Sequence, residues 1–397
     1  MTSHRKRLAN VAERRFLSKL DDWVFPEPAQ GEFSQWEDAT PGFRLQAWQG
    51  GRLKIDVACG KTSAIYDWAS LTKIVFSTTS AMIEADEGDL GLRDSVASWM
   101  PELIESVKPS SRVSDFSKIT VRDLLRHSAG MTWWKPFYKD VSKKKPRDHE
   151  EAWAILSSLV ARDVRARISN GEIAKDRKGP AIYSDLDFFL LGEILRRSSL
   201  MSLPEQYARV QDRLGLDHTY FHALAKSDVQ AGVIAAADRK SNVAPTEKDP
   251  WRGRVLKSEV HDENAASLKG IAPHAGLFGP IEDLSRYGLQ LRKLARVERS
   301  NLPASASVFL KRSVPRARGD WALGFMMPTK GSTSCGPRFS AMSLGHTGFT
   351  GTSLWYDPKR DLLVSILSNR VHPTRKNARF VKLRPALHTF VVEALES

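Results

Sequence analysis

The sequence predicts an α+β fold in which both ends of the chain build one antiparallel sheet, flanked by helices, and the middle is a mostly helical inserted region. Three observations carry this. Apolar and polar residues alternate over 43–48 and 53–58 around Gly50-Gly51, a hairpin signal. Strand-like runs return near the end, over 322–327, 353–356 and 362–367, with Asp357-Pro358-Lys359-Arg360 turning between the last two. Between these sets the pattern is mostly helical. We therefore take 1–79 and 271–397 as the sheet region and 80–270 as a helical region of the same unit. At 397 residues the chain is long enough to bury a large core.

Each element has its own signal. Residues 1–40 read as a helix followed by a Pro-containing connector. The first twenty are basic and polar without an apolar stretch, so no secretion signal is expected; the expected location is cytoplasmic, with periplasmic as the alternative. After Ser70, the residues Leu71, Ile74, Val75, Thr78, Ala81, Met82 and Ala85 recur at helical spacing until Gly88 stops them. Thr120 and Asp123 form a capping box. Residues 141–150 are charged and read as a surface loop. Asp185 opens an apolar helix running toward Arg197, and 381–395 reads as a closing helix. There are no internal repeats, and no run approaches the roughly 20 apolar residues of a membrane span.

Composition excludes several classes of function. Cys59 and Cys335 are too few for a disulfide framework and read as reduced structural thiols. His261-Asp262-Glu263 with His274 lacks the helical His-x-x-x-His geometry of a zinc site, so no metal or cofactor is expected. Residues 260–279 are expected to line or brace a cleft. The net charge is +14, with basic clusters at 139–147 and 312–318. These clusters lack interleaved aromatics, so they read as a solvated basic face and no nucleic-acid partner is expected.

Chemistry concentrates in three short pieces: Ser70-Leu71-Thr72-Lys73, Tyr183-Ser184-Asp185 and His346-Thr347-Gly348. Ser-x-x-Lys also occurs at Ser3 to Lys6 and Ser142 to Lys145, but only the copy at Ser70 opens an apolar helix. Lys73, three residues on, shares a face with Ser70. The positive end of the helix favours an alkoxide, and burial is expected to push Lys73 toward a neutral base. Tyr183 adds a phenol that can move a proton.

These pieces resemble the penicillin-recognising serine hydrolases: class C β-lactamases, D-alanyl-D-alanine carboxypeptidases and related esterases. The resemblance runs from about Phe43 to the C-terminus. It includes Trp68 to Lys73, Thr120 to Gly130, Tyr183 to Gly192 and His346 to Ser353. It implies a β-lactamase-like fold and a Ser70 acyl-enzyme. It also implies proton work by Lys73 and Tyr183, and an oxyanion hole from the N–H groups of Ser70 and Phe349. Asp185, His346, Thr347, Gly348 and Phe349 become the expected substrate-binding residues. Asp185 stands where many relatives have asparagine, and His346 where β-lactamases usually have lysine. The expected function is hydrolysis of an amide or ester, D-amino-acid peptides included. A cytoplasmic esterase or transacylase, a weak β-lactamase and a non-catalytic binding module are the alternatives. His346 is expected to orient a substrate carboxylate as a cation, and Trp133-Trp134 to border the acyl pocket.

Overall fold

The computed structural model describes residues 9–25, 35–105, 107–229, 233–236, 242–331 and 333–396. In chain order the strands are β1 (Gly42–Gln49), β2 (Arg52–Gly60), β3 (Tyr66–Asp67), β4 (Tyr220–Ala223), β5 (Ile234–Ala236), β6 (Lys248–Asp249), β7 (Arg254–Val255), β8 (Leu277–Gly279), β9 (Leu344–Thr347), β10 (Ser353–Asp357) and β11 (Leu362–Ser368). The main sheet is antiparallel with order β2-β1-β11-β10-β9. Its two halves join where Phe43 pairs with Ser368 and Gln49 with Leu362.

The apolar run of β11 is explained by burial on both faces. Leu363 and Leu367 pack into the core shared with the helices, beside Leu354 and Tyr356. Leu362, Val364 and Ile366 point the other way, against Phe43, Leu45, Phe16 and Leu387. That second core is closed by the helices Val11–Asp21 and Arg379–Glu396. On the first face the helix Ile281–Ala295 lies close to the sheet at Gly288, where a Cβ would come within 2.6 Å of Leu363 Cδ1.

A second sheet, order β3-β8-β4-β5, has β4 and β5 parallel and draws strands from both sides of residue 80. Strands of two to four residues carry no readable period, so this sheet is invisible in the sequence. Residues 322–327 do not form the expected strand. Only single bridges link Trp321 to Met326 and Met326 to Gly345, and the run is apolar because Ala322, Leu323 and Phe325 are core residues. Residues 141–150 are more than a loop. The helix Tyr138–Lys143 ends within them, and His149–Ser169 begins there, capped by the Asp148 side chain on the Glu151 N–H. The capping box of Thr120 and Asp123, the helix Asp185–Ser199 and the closing helix stand as expected.

The connector at 26–34 and the Ser3 to Lys6 pattern lie outside the described residues. Cys59 sits on β2 and Cys335 in a turn, both as buried free thiols that burial pushes up to about 12. At that value neither is a ready nucleophile. Several charges of the basic clusters are paired at the surface, Lys143 with Asp140, Arg147 with Glu151 and Arg312 with Asp320. Among the described residues no helix is long and apolar enough to cross a membrane.

Candidate active site

The nucleophile turn is built by the chain entering from β3. The buried Asp67 carboxylate accepts from the N–H groups of Ala69 (2.8 Å) and His261 (2.7 Å). Trp68 is fixed to β8 through its N–H to the Leu277 carbonyl (2.9 Å) and its indole N–H to the Gly279 carbonyl (3.0 Å). Held at both ends, Ala69 takes φ of +48°, a left-handed conformation that a non-glycine residue adopts only when its surroundings impose it. Ser70 follows at the first turn. The helix is π-wound over Lys73–Thr78 before continuing as Thr79–Glu87, and Gly88 ends it. Such wide turns are frequent at functional sites.

The three motifs converge on Ser70. Lys73 Nζ lies 3.1 Å from Ser70 Oγ, and the Tyr183 hydroxyl donates to the same oxygen at 2.8 Å. Lys73 is fully buried, with its Nζ 2.7 Å from Asp185 Oδ1 and 3.2 Å from the His274 carbonyl. Burial disfavours the ammonium, but Asp185 first and Tyr183 next outweigh it, so Lys73 is held above its ordinary range. The expected neutral base is therefore an ammonium in this state. Burial likewise holds Tyr183 above the usual phenol range, against the pull of Lys73, so it remains a phenol at neutral pH.

The third motif lies at the end of β9, with His346 and Thr347 in the strand and Gly348 just after it. Gly348 is required by close approach, since a Cβ there would stand 2.0 Å from Thr352 Oγ1 and 2.6 Å from the Trp68 carbonyl. Thr352 Oγ1 donates to that same carbonyl (3.0 Å), and Thr350 Oγ1 to the Asp67 carbonyl (2.8 Å), fastening the loop after β9 to the nucleophile turn. Buried Arg384, from the closing helix, donates to the Thr352 carbonyl at 3.1 Å from below. Phe349, 48% exposed, stands at the surface of this loop, stacked on His261 and under the guanidinium of Arg370.

His346 departs from its expected role as a cation. It is buried, its Nδ1–H donates to the Thr347 carbonyl at 2.8 Å, and burial with the charges of Lys73 and Arg384 lowers it to about 3. At neutral pH it is uncharged. Asp185, expected to face substrate, is instead engaged by Lys73.

Sequence reasoning missed the layer behind the motifs. His127 and Asp187 form a fully buried pair, Nδ1 to Oδ2 at 3.0 Å, and the Ser184 N–H also reaches Nδ1 at 3.2 Å. Trp321 stacks on Tyr183 and meets His127 edge-on. Asp262 accepts from His274 Nε2 at 3.0 Å and from the Ala265 N–H at 2.7 Å, bracing the segment that supplies the carbonyl on Lys73. Asp185, Asp262 and His274 also bring metal-type ligand atoms within 4.8 Å of one another. The positive charge at that point is already supplied by Lys73. Residues 260–279 thus brace the site, and the expected signal was present as His261-Asp262-Glu263, without its chemistry. The Trp133-Trp134 loop adjoins the second motif: the Trp133 carbonyl accepts from the Asp185 N–H (2.9 Å), the Thr132 carbonyl accepts from Ser184 Oγ (2.6 Å), and Trp133 is 64% exposed.

Comparison with known proteins agrees with this architecture. The beta-lactamase family model matches residues 20–386. A putative D-alanyl-D-alanine carboxypeptidase of Salmonella gallinarum is 28% identical over 343 residues, 84% of this chain and 75% of the relative. Among solved structures, a class C beta-lactamase mutant superposes with a TM-score of 0.65 at 15% identity, covering 97% of this chain and 99% of the other. EstCE1, described as a hydrolase with promiscuous acyltransferase activity, gives 0.61 at 17% identity, covering 95% and 98%. The chain belongs to the beta-lactamase family and is a serine hydrolase of the beta-lactamase and D-alanyl-peptidase type.

Proposed function

We propose that the protein hydrolyses an amide or ester through an acyl-enzyme on Ser70, with D-amino-acid peptides as the leading substrate class. The observation that carries this reading is the pair of contacts at Ser70 Oγ, from Lys73 at 3.1 Å and Tyr183 at 2.8 Å. A serine so placed attacks the carbonyl carbon while Lys73 and Tyr183 handle its proton. The N–H groups of Ser70 and Phe349 hold the developing oxyanion, and Thr347 and Gly348 guide the substrate along β9. The 28% identical relative, named as a putative carboxypeptidase, supports the peptide class.

A second reading, an esterase or transacylase for neutral substrates, is favoured by one observation: His346, lowered to about 3, offers no cation for a substrate carboxylate. Labelling with a fluorophosphonate or penicillin probe and mapping the adduct tests the shared mechanism. Label on Ser70, lost in Ser70→Ala, is expected; label on another serine overturns it. Rates on D-amino-acid peptides, neutral esters and β-lactams then separate the two readings. Trp133→Ala should lower kcat/KM more for long acyl groups than for acetyl, because aromatic rings suit an apolar acyl group. Equal effects across acyl length would remove the loop from the acyl pocket. The expected cytoplasmic location is tested by fractionating cells that express the untagged protein.

A further inference from the structure

We propose that Lys73 and Asp185 form a proton relay, in which Asp185 takes up, through Lys73, the proton that Ser70 loses on attack. This rests on the reading of Ser70 as nucleophile and adds the proton's destination. Lys73 Nζ has three partners: Ser70 Oγ at 3.1 Å, Asp185 Oδ1 at 2.7 Å and the His274 carbonyl at 3.2 Å. An ammonium has three N–H groups: two are spent on the hydrogen bonds to Ser70 and the His274 carbonyl, and Asp185 faces the same nitrogen as its ion-pair partner. Such a nitrogen has no lone pair for the serine proton until it gives one of its own away.

The surroundings leave one destination. Tyr183 already donates its proton to Ser70 Oγ. The His274 carbonyl is a weak base. Asp262 lies beyond, engaged by His274 Nε2 and the Ala265 N–H. His346 donates from Nδ1 to the Thr347 carbonyl, and His127 is bound to Asp187. Among the described residues, Asp185 alone combines a carboxylate with direct contact to Lys73.

The transfer balances. As the serine oxygen forms its bond to the carbonyl carbon, the carbonyl π pair moves onto oxygen. The Ser70 proton passes to Lys73 while a Lys73 proton passes to Asp185, leaving Lys73 charged throughout. On collapse the bond to the leaving atom breaks, and its electron pair stays on that atom. Tyr183 gives that atom a proton and is refilled from Lys73, which is refilled from Asp185. One proton has moved from serine to leaving group, and every side chain is restored. The charge state of Lys73 agrees: burial works against the ammonium, yet Asp185 and Tyr183 raise it above its ordinary value. A lysine that had to lose its proton to solvent first would be idle at neutral pH.

The test is single-turnover acylation of Ser70 by a p-nitrophenyl ester between pH 7 and 9. The relay keeps its proton count constant, so the wild-type rate should be flat across this range. A neutral-lysine base would make the rate rise about tenfold per pH unit, because Lys73 titrates above its free value of about 10.4; that result overturns the relay. Asp185→Asn should acylate at least a hundredfold more slowly at pH 7 and recover as pH rises, while Asp185→Glu, keeping the carboxylate, should stay within tenfold of wild type. Asp185→Asn as fast as wild type at pH 7, or slow with an unchanged flat profile, also overturns the proposal, the latter marking a purely structural role. The wild-type profile decides the matter even where a variant folds poorly. Failure with Ser70 still labelled removes the relay alone; failure of Ser70 labelling removes the nucleophile reading as well.

Discussion

Asp185 and Asp187 stand two residues apart on one helix, both buried, and the chain uses them in opposite ways. Asp185 meets the Lys73 ammonium at 2.7 Å, and the charge pair lies directly behind Ser70. Asp187 meets His127, one layer further in. Burial, and then the charges of Asp123 and Asp185, push Asp187 well above the carboxylate range. Burial, and then Lys73 and His346, push His127 well below the imidazole range. The Ser184 N–H donates to His127 Nδ1, which makes that nitrogen an acceptor. Both directions then favour a neutral pair in which the Asp187 acid donates to it. Asp187 is the more deeply buried, its side chain 1% exposed against 12% for Asp185, and the partner differs as well. A group that is always charged when free, such as lysine, can hold a carboxylate ionised in the interior, whereas an imidazole yields to desolvation first.

The largest expected effect comes from breaking the charged pair on one side only. Lys73→Met leaves Asp185 as an unpaired buried carboxylate, which typically costs about 3–5 kcal/mol. Urea denaturation at pH 7 should show a loss of that order. The double variant Lys73→Met with Asp185→Asn should regain most of it, since an uncharged pair needs no counter-charge. Both should acylate about 10²–10⁴-fold more slowly, the usual worth of a proton-transfer group. Equal stability of the single and double variants would mean that Asp185 is already protonated, erasing the contrast with Asp187.

This difference also marks what the sequence could tell. Ser70, Lys73, Tyr183 and the β9 motif were legible because helical spacing and a glycine requirement leave fixed distances in the chain. The β1–β2 hairpin, β10 and β11 were legible from alternation and apolar runs. Neither Asp185 nor Asp187 announced its ionisation. Each reads as an acidic residue in the first turn of a helix, where any carboxylate is favourable. Their states depend on His127, Lys73, Asp123 and burial by elements more than 50 residues away, which no local pattern encodes. Arg384 was hidden for a related reason: on a terminal helix it reads as a surface charge, yet it is buried under Thr352 and lowered to about 10 by burial and Arg370. The run 322–327 misled in the other direction, because core packing and strand formation demand the same apolar residues.

His346 sharpens the comparison as an imidazole with no carboxylate partner among the described residues. Its only side-chain hydrogen bond among the described residues goes to the Thr347 carbonyl. Losing one neutral hydrogen bond costs about 0.5–1.5 kcal/mol, roughly two- to tenfold in kcat/KM. His346→Gln should therefore impair carboxylated and neutral substrates alike, within that range. His346→Lys should impair both further, because it buries a third cation beside Lys73 and Arg384. A loss above tenfold confined to carboxylated substrates would restore the cationic role and show that burial had not neutralised this imidazole.

The smallest effect at neutral pH is expected from Asp187→Asn, and it tests the neutral pair most directly. An amide N–H replaces the acid O–H as donor to His127 Nδ1, so little stability should be lost at pH 7. The signature is in the pH dependence. His346, lowered to about 3, and His388, lowered to about 4, stay unprotonated in the folded state below pH 6.5, whereas the unfolded chain takes up a proton on each. Stability contributed by a depressed imidazole is present at high pH and lost as pH falls, by about 1.4 kcal/mol per pH unit for each group. His127 belongs to the same class, but in the wild type its missing proton is offset by the one Asp187 retains. The folded pair and the unfolded pair then both hold one proton between about pH 6.5 and 4, and the pair contributes no slope there. Asp187→Asn removes that retained proton. Its stability, measured by urea denaturation between pH 6.5 and 5, should fall more steeply than wild type by about 1.4 kcal/mol per pH unit. Parallel curves would mean that Asp187 carries no proton in the folded protein, and that the two aspartates of this helix are both ionised after all.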